Sequence, residues 1–460
     1  MGLNVTIGKK SVYALGQFGL VLCAFAVGNL FVSFFVTRTF LSVVVFPVYI
    51  HQGFLFSLFT IAGLIIALSR IFDAAAGLYF GYASDCNNMA RGRRTGFMLI
   101  AALPVAIFSV LVFFPPTAEA VILNSIYVLV CTLLFYILLS LYTTPYLALL
   151  AELGKNPRER VQLTTMMAIA TALASLMGNR LVFFMDMIRQ AFDISFVASF
   201  RVIIILYAFL SLVCMMLPVI FIDEKAGSTA MPVKDSFSVS LHAVLKDTYF
   251  RPFFIAEIMY RIAFSFTLAG FSYYVTGLLS LSSKTVSFFV LVIFFSNVIL
   301  FVPVGMLSRV IGKRKLLFTA FLFFIFALIA STFAGEYPFD PFLQGIVLSV
   351  LVAIPLSVFT VIPYALVSDL VVAAERKTGI QRGGMYFGVH SLAIKIGQLI
   401  SVLLFSSIMT IGSVSHRSAG PAGLRITLVL AVVFLILGFL FLFGYREKEI
   451  AVLLENNNHA

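Results

Sequence analysis

The residues best suited to chemistry in this sequence are charged side chains inside long apolar segments. Asp73 lies well inside the second such segment, and Arg70 precedes it by three residues, so both fall on one face of a helix. A charge at the centre of a bilayer costs on the order of 2.5–3.5 kcal/mol, and each such residue therefore needs a partner or a purpose. Two roles fit: a proton carrier at Asp73, or a local ion pair with Arg70 that locks the helix.

Four more charged residues fall inside apolar segments. Glu257 precedes Arg261 by four residues, the favourable order for a neutralising pair on a helix. Lys395 lies too deep to snorkel to the interface, and Arg180 has no acidic residue within one helical turn. Basic residues therefore outnumber acidic ones inside the segments. This surplus favours an anionic group on a bound solute, unless Arg180 reaches water in a cavity.

Long apolar runs must position these residues. Hydrophobic residues make up 62% of the 460-residue chain and charged residues 11%, which excludes an ordinary soluble domain. Because about 20 apolar residues span a bilayer as a helix, the sequence predicts an all-α membrane protein with twelve transmembrane helices. The predicted spans are residues 12–36, 53–82, 95–115, 121–151, 161–187, 199–221, 252–277, 285–308, 314–335, 343–371, 383–411 and 424–444.

The longest polar stretch divides these runs into two sets of six. We therefore predict an N-terminal bundle over 1–222, a cytoplasmic linker over 223–251, a C-terminal bundle over 252–445 and a cytoplasmic tail over 446–460. Within the linker, Ser236–Leu245 is amphipathic and is predicted to form a helix on the membrane surface.

The distribution of Lys and Arg predicts the orientation. With both termini in the cytoplasm, 21 of the 31 basic residues fall in inside segments and 6 in outside segments. Such an excess is typical of cytoplasmic loops. The sequence therefore predicts a multi-pass protein of the cell (inner) membrane, and the net charge of +12 needs no nucleic-acid partner. We expect a monomer whose partners are the lipid bilayer and a solute.

Motifs for catalysis are missing from the sequence. There is no nucleotide-binding loop, no Ser/His/Asp arrangement, and no metal-ligand spacing among the four cysteines and five histidines. The sequence thus argues against an enzyme and predicts no cofactor.

Motifs of the first half recur in the second. Gly81–Asp85 recurs as Gly305–Arg309, and Pro145–Glu152 recurs as Pro363–Asp369. Parallel repeats of six helices predict two pseudo-symmetric bundles with a substrate site between them near the bilayer midplane. This arrangement favours a carrier that alternates its access over a channel.

These motifs resemble the major facilitator superfamily, and specifically its glycoside–pentoside–hexuronide:cation symporter branch, the relatives of melibiose permease. The resemblance runs through nearly the whole chain. It is carried by Arg70–Asp73, Gly81–Arg94, Pro145–Arg160, Tyr273-Tyr274, Gly312-Lys313, Pro363–Asp369 and Gly383–Gly397. It implies cation-coupled symport of a small organic solute, by default a sugar or hexuronide. It also implies that Asp73 binds the coupling cation and that Lys395 faces the cavity.

The coupling ion is left open between Na⁺ and H⁺. Sodium-using members of the branch carry a second Asp one turn after the first, and here that position is Gly77. Hydroxyls of Thr143 or Thr144 could complete a Na⁺ site at Asp73, whereas a lone buried carboxylate could carry a proton. We expect Lys395 to approach Asp73 and to exchange partners as cation and substrate bind.

The groups that hold a sugar in this branch are replaced. The two carboxylate positions are Val21 and Thr143, the tryptophan position is Leu147 and the arginine position is Ala168. This loss favours an alternative, a symporter or facilitator of an amphiphilic anion such as a lysophospholipid, since the animal lysophospholipid symporters resemble the same branch. The predicted substrate or cavity residues are Arg70, Lys395, Arg180, Glu257, Arg261, Tyr273 and Tyr274.

A cytoplasmic gate is predicted at the repeated loops, with Asp85, Arg93, Arg94, Glu152 and Asp369 as its residues. Asp85 can accept hydrogen bonds from helix ends or from arginines, while Gly81 permits close helix packing. Such a cluster would hold the inside closed and would break when the bundles rock.

Overall fold

The computed structural model describes the chain except residues 1–6, 38, 41, 42, 45, 52, 53, 56–58, 88, 90, 91, 225–232, 410, 412–419 and 456–460. Side chains are described outside residues 37–45 and 52–59. The basic residues Arg38, Arg91, Lys225 and Arg417, which the predicted orientation counts, lie outside the described residues.

Apolar runs become helices because, in lipid, each backbone polar group must find its partner within the segment. In the first half of the chain, α1 is followed directly by a short π-helix, Ser33–Thr37. The helices here are α1 (Ile7–Val32), α2 (Ile61–Cys86), α3 (Thr95–Leu111), α4 (Ile122–Leu153), α5 (Pro157–Asn179), α6 (Leu181–Phe192) and α7 (Phe196–Phe221).

The second half is also helical, with two short helices beside the long ones. Its helices are α8 (Phe237–Lys246), α9 (Phe250–Gly277), α10 (Ser283–Ile311), α11 (Lys313–Thr332), α12 (Pro341–Thr378), α13 (Gly383–Ile408), α14 (Pro421–Leu442) and α15 (Glu447–Glu455). The helix predicted at Ser236–Leu245 is therefore confirmed as α8, whereas α15 was not predicted.

Length and apolarity identify the membrane-spanning helices. Among the described residues, eleven helices are long and apolar enough to cross a bilayer, and α3 is a shorter apolar helix of 17 residues. With α3 the number matches the twelve helices that the sequence predicts.

Most predicted spans differ from the observed helices by several residues at one or both ends, and the second and fifth differ most. The second was predicted from residue 53, but α2 begins at Ile61, after two small antiparallel hairpins, β1 (Thr39–Phe40) with β2 (Val43–Val44) and β3 (Phe54–Leu55) with β4 (Phe59–Thr60). Thr60 ends the hairpin and caps α2, because its hydroxyl accepts from the N–H of Gly63. An apolar run alone could not reveal this, since strand and helix are equally apolar here.

The fifth predicted span is broken in the structure. The sequence predicts one helix over 161–187, whereas α5 ends at Asn179 and α6 begins at Leu181. Arg180, between them, has φ −87° and ψ 9°, outside the helical region. The run is apolar on both sides of this residue, so periodicity did not reveal the break.

The helices pair in the same way in each half of the chain. In the first half, α1 packs on α7, α2 on α4, and α3 on both α4 and α7. The corresponding helices of the second half repeat this pattern: α9 packs on α14, α10 on α12, and α11 on both α12 and α14. The internal repeat read from the motifs is therefore also a repeat of helix packing.

The chain forms two compact units. Unit 1 contains residues 1–154, 169–237 and 381–388, and unit 2 contains residues 155–168, 238–380 and 389–460. The start of α5 therefore belongs to unit 2, and the start of α13 belongs to unit 1. The sequence predicts bundles that each consist of one continuous stretch, 1–222 and 252–445, and so does not predict this exchange of short segments.

Candidate functional site

The carboxylate of Asp73 lies on α2 and faces α4 within unit 1. The residue is buried, with 5% of its surface exposed. The hydroxyl of Ser140, on α4, donates to Asp73 Oδ1 at 2.6 Å, and Arg70 Nη1 lies 3.9 Å from Asp73 Oδ2. The carboxylate therefore has a neutral donor on one oxygen and a cation near the other.

Arg70 differs from Asp73 in its exposure. Its side chain is 50% exposed, and its guanidinium carbon lies 4.3 Å from the centre of the Tyr136 ring. A guanidinium stacked on an aromatic face is held in place by its flat side while its N–H groups stay available at the edges. Arg70 can thus bind an anion while remaining close to Asp73.

The two threonines predicted beside Asp73 are placed differently from Ser140. The hydroxyl of Thr143 donates to the carbonyl of Leu139 on its own helix at 2.7 Å. Thr144 is buried, with its methyl group against Gly81. Ser140 is the hydroxyl that the sequence reading missed. A polar residue one turn before Thr144 in an apolar helix was the signal available.

A second buried carboxylate, Glu257, lies on α9 in unit 2. It is fully buried, and its Oε1 accepts from the Tyr260 hydroxyl at 2.6 Å and from Arg261 Nε at 2.9 Å. His390, on α13, places Nδ1 3.8 Å from Glu257 Oε2. We call Glu257, Tyr260, Arg261 and His390 the Glu257 cluster.

Close packing of α9 and α13 holds the Glu257 cluster together. A Cβ at Gly397 would lie 2.6 Å from the Cβ of Arg261, so the glycine lets the two helices approach. Arg261 is 12% exposed, and it stacks beside the ring of Tyr260. The neutralising pair that the spacing of residues 257 and 261 predicts is present.

The remaining predicted cavity residues are spread over the two units. Arg180 is exposed at the break between α5 and α6, not buried within a helix, so the count of buried cations that favoured an anionic solute is smaller than the sequence suggested. Lys395 is partly buried on α13, in unit 2, while Asp73 lies in unit 1. The expected approach of these two residues stays a prediction.

The tyrosine pair on α9 is divided by burial. Tyr273 is 41% exposed, whereas Tyr274 is buried and its hydroxyl lies 3.0 Å from that of Thr427 on α14. Tyr274 therefore links two helices of unit 2, whereas the exposed ring of Tyr273 is the one that a solute could contact.

Four of the predicted gate residues meet in one place, which we call the Asp85 cluster (Asp85, Arg93, Arg94 and Glu152). Arg94 lies 2.5 Å from Asp85 Oδ1 and 3.2 Å from Glu152 Oε1, and Arg93 lies 2.9 Å from the same Glu152 oxygen. Burial disfavours the charged guanidinium, but the carboxylates of Asp85 and Glu152 outweigh it and raise the pKa of Arg94 above its ordinary value. Arg94 therefore stays charged although it is fully buried.

Asp85 also caps the beginning of α13. Its two carboxylate oxygens accept from the N–H groups of Gly384 and Met385 at 2.9 and 2.8 Å. Helix N-termini carry unpaired N–H groups and a partial positive charge, which a carboxylate satisfies. The backbones of Gly81 and Gly384 meet so closely that a Cβ on either residue would overlap the carbonyl oxygen of the other.

Glu224 was not predicted, although it holds the neighbouring helix end. Its carboxylate accepts from the backbone N–H groups of Arg94 and Thr95, each at 2.9 Å, at the start of α3. The acidic residue lies about 130 positions away from them in sequence, so no local pattern could have paired it.

Asp369 lies in unit 2 with different partners. Arg160 Nη1 donates to its Oδ1 at 2.7 Å, and the ammonium of Lys313 contacts its other oxygen. We call Arg160, Lys313 and Asp369 the Asp369 cluster. Asp369 follows the repeated Pro-Tyr motif by five residues after its Tyr and Glu152 by six, so the two acids lie at nearly the same point of the two repeats.

Sequence comparison assigns the chain to a family. The family model described as MFS/sugar transport protein matches residues 13–446. The chain belongs to this family. A glucuronide carrier protein homolog of Escherichia coli (strain K12) is 24% identical over 415 residues, which cover 86% of this chain and 87% of that protein. The predicted glycoside–pentoside–hexuronide branch of the major facilitator superfamily is thereby confirmed.

Solved structures show the same fold. A bacterial homologue of the iron transporter ferroportin in its outward-facing state matches with a TM-score of 0.69 at 12% identity, covering 96% of this chain and 100% of that one. The proton:xylose symporter XylE matches with a TM-score of 0.66 at 14% identity, covering 98% and 99%. At these identities the likeness concerns the fold alone. Together with the family, it makes this chain a multi-pass secondary transporter and not an enzyme.

Proposed function

We propose that the protein takes up a sugar-class solute that bears a carboxylate, such as a hexuronide, together with a proton. The observation that carries the proposal is the buried Asp73 carboxylate beside the half-exposed Arg70 guanidinium. The similarity to a glucuronide carrier homolog supports a sugar acid as the solute. Nothing in these comparisons favours the amphiphilic alternative.

The pair suggests how proton and solute are coupled. While Asp73 is ionised, it attracts the guanidinium of Arg70, which lies 3.9 Å away. Protonation of Asp73 removes that attraction, and Arg70 is then free to hold a carboxylate of the solute with two parallel hydrogen bonds. Binding of the anion and of the proton therefore favour each other, and the pair enters without net charge.

A proton suits this site better than Na⁺. A metal cation needs several oxygen ligands, whereas the Ser140 hydroxyl donates to Asp73, and Arg70 adds a positive charge nearby. A cation beside a guanidinium would be repelled. The structural neighbour XylE is described as a proton:xylose symporter, and proton coupling of this chain would agree with that.

We also propose that Asp85, Arg93, Arg94, Glu152 and Asp369 act as gate residues on the cytoplasmic side. Their clusters consist of buried ion pairs and a capped helix end, and such contacts can form or break as a set when helices move. The orientation rests on the excess of basic residues in the predicted inside loops.

Uptake into proteoliposomes tests the proposal. We expect para-nitrophenyl β-glucuronide to accumulate under an inward proton gradient, and a sodium gradient alone to leave it at equilibrium. Asp73→Asn should abolish accumulation but keep exchange of solute across the membrane, because the variant resembles the protonated state. Glu119→Gln, a change in an exposed loop, is the matched control.

Analogues decide the solute. The neutral para-nitrophenyl β-glucoside should be transported far less than the glucuronide. A preference for the glucoside would contradict the proposed role of Arg70 in binding a carboxylate. Accumulation driven by a Na⁺ gradient would contradict proton coupling. Saturable uptake of a lysophospholipid, without uptake of the glucuronide, would support the amphiphilic substrate instead of the sugar acid.

A further inference from the structure

A large cavity in unit 2 has no role in the solute site proposed above, although Asp369, a proposed gate residue, is part of its wall. Its volume is about 590 Å³, within the range of about 300–1,000 Å³ that small-ligand sites occupy. Its walls come from the start of α5, the junction of α10 and α11, α12 and the segment around α15. Four separate parts of the chain therefore meet around one space.

The lining of this cavity is strongly basic. Two acidic residues, Asp369 and Glu447, face the cavity together with a larger basic set. The basic residues are Lys155, Arg158, Arg160, Arg309, Lys313 and Arg376. Four positive charges are therefore left over within the lining.

Both acidic residues are already engaged. Asp369 contacts Arg160 with one oxygen and Lys313 with the other. The Glu447 carboxylate is directed at the start of α11, where it accepts from the N–H groups of Lys313 and Arg314 at 2.9 and 3.2 Å. Neither acid is left to neutralise the exposed arginines at the rim.

Two arginines at the rim have no ion-pair partner in the part of the chain that the structure describes. Arg158 and Arg309 are exposed, and neither forms an ion pair with a residue that the structure describes. Excess basic charge at one membrane face is general, but that rule does not require the charges to surround a cavity. Nor does it require two of them, Arg160 and Lys313, to be buried in its wall, at 1% and 7% exposure.

We propose that this cavity binds a phosphorylated anion. Guanidinium groups match phosphate oxygens with paired hydrogen bonds, and Arg158 and Arg309 are placed to supply them. An organic part can lie against the apolar side chains of Val161, Ile450 and Leu454. The same chemistry fits a soluble organic phosphate or the headgroup of an anionic lipid.

Binding would stabilise one arrangement of the chain. A ligand in the cavity touches α5, α12 and α15 at once, so it favours the state in which these elements are together. Ligand that binds only this folded arrangement raises its stability by mass action. The temperature of unfolding therefore reports occupancy without any measurement of transport.

The test uses the full chain in nanodiscs of phosphatidylcholine, with glucose 6-phosphate and ATP as soluble probes. A second set of nanodiscs contains phosphatidylglycerol and no soluble probe. Unfolding temperature and direct binding are compared for the unchanged chain, for R158Q/R309Q, and for K246Q/R251Q. The last variant removes the same charge from exposed positions outside the cavity.

A soluble probe that raises the unfolding temperature in phosphatidylcholine identifies a free phosphate as the occupant. A rise with phosphatidylglycerol alone identifies a lipid headgroup. In either case R158Q/R309Q should weaken binding by about tenfold or more, and K246Q/R251Q should not. Equal responses in the two variants, or no response to any probe, would overturn the proposal, and neither result bears on uptake of a sugar acid.

Discussion

At Asp73, the hydroxyl of Ser140 decides how the carboxylate is oriented. Because Ser140 occupies Oδ1 at 2.6 Å, Oδ2 is the oxygen nearer Arg70. A hydrogen bond to a charged group contributes about 1.5–3 kcal/mol. The geometry on which the proposed coupling depends therefore rests on a residue that carries no charge.

Ser140→Ala should lower proton-driven uptake by about tenfold or more, since the carboxylate loses this donor, while Ser140→Thr keeps the hydroxyl and most of the uptake. Initial rates in proteoliposomes measure both. Thr360→Ala is the matched control, because that hydroxyl donates to Leu356 of its own helix at 2.7 Å. Loss of coupling in Thr143→Ala, with Ser140→Ala unaffected, would favour the threonine site instead.

The Glu257 cluster makes a different prediction at the same scale. Glu257→Gln leaves the partly buried Arg261 without its carboxylate, which should cost up to about 3–5 kcal/mol of stability. Glu257→Gln combined with Arg261→Gln removes both charges and should recover much of that loss. Thermal unfolding of the three proteins in one detergent measures the difference.

Comparison of the single and double variants also separates an effect on stability from an effect on transport. If the double variant is stable but does not accumulate solute, the Glu257 cluster acts in transport as well as in packing. A single variant as stable as the unchanged chain would contradict the ion pair as a structural element.

Sequence spacing could predict the pairs within one helix but not those between helices. Arg70 with Asp73, and Glu257 with Arg261, are separated by three or four residues, and helical geometry alone brings them together. Ser140 and His390 reach their carboxylates because particular faces of α2 and α4, and of α9 and α13, meet. Those faces are selected by side-chain packing over whole helices, which a single sequence does not display.

At the level of elements, the crossing of α2 and the start of α13 depends on two glycines. A Cβ on Gly81 would overlap the carbonyl oxygen of Gly384, and backbone cannot move aside as a flexible side chain can. Gly81→Ala should therefore lower stability by about 1–3 kcal/mol, seen as a lower unfolding temperature.

Gly28→Ala provides the comparison for that substitution. A Cβ there would lie 3.5 Å from the Tyr136 hydroxyl, which is ordinary contact, so the change should be neutral or slightly stabilising. If Gly81→Ala and Gly28→Ala changed the unfolding temperature equally, the close approach of Gly81 and Gly384 would not be what makes alanine unfavourable at residue 81.

Local residues set both ends of α12, although the predicted span, residues 343–371, stops seven residues short of the observed end at Thr378. Asp340 accepts from the N–H groups of Phe342 and Leu343, Pro341 occupies the first turn of α12, and Gly379 ends the helix with φ 71°. The start of α2 was missed because the preceding apolar residues form hairpins. The break at Arg180 was missed because apolar runs continue on both sides of it, although Gly178 and Asn179 stand directly before that residue.

The orientation is a property of the whole molecule, and it can be tested directly. In a cysteine-free background, Glu119→Cys lies in a loop predicted outside, and Lys246→Cys lies at the end of α8, in the linker predicted inside. A membrane-impermeant maleimide should label residue 119 in intact cells, and residue 246 only after lysis. The reverse pattern would invert the topology and move the proposed gate to the outer face.

The repeat is the feature of the whole molecule that sequence revealed best. Motifs at equivalent positions in each half predicted two sets of six helices, and the same helix pairs pack in both. The exchange of segments at 155–168 and 381–388 was not predicted, because it depends on contacts such as those of Asp85 with α13 and of Arg160 with Asp369.

That exchange has a consequence for how the molecule is built. A chain cut after residue 237 would give two fragments whose long helices pair in the same way. The first fragment would lack residues 381–388 of unit 1 and keep residues 155–168 of unit 2, and the second would have the opposite defect. The first fragment would carry Arg160 without Asp369, and the second would carry the start of α13 without Asp85. Each half of the chain therefore lacks contacts of its own unit, although the sequence reads as a duplication. If the two fragments were made in the same cell, each would supply what the other lacks. The first would bring Asp85 to the start of α13, and the second would bring Asp369 to Arg160.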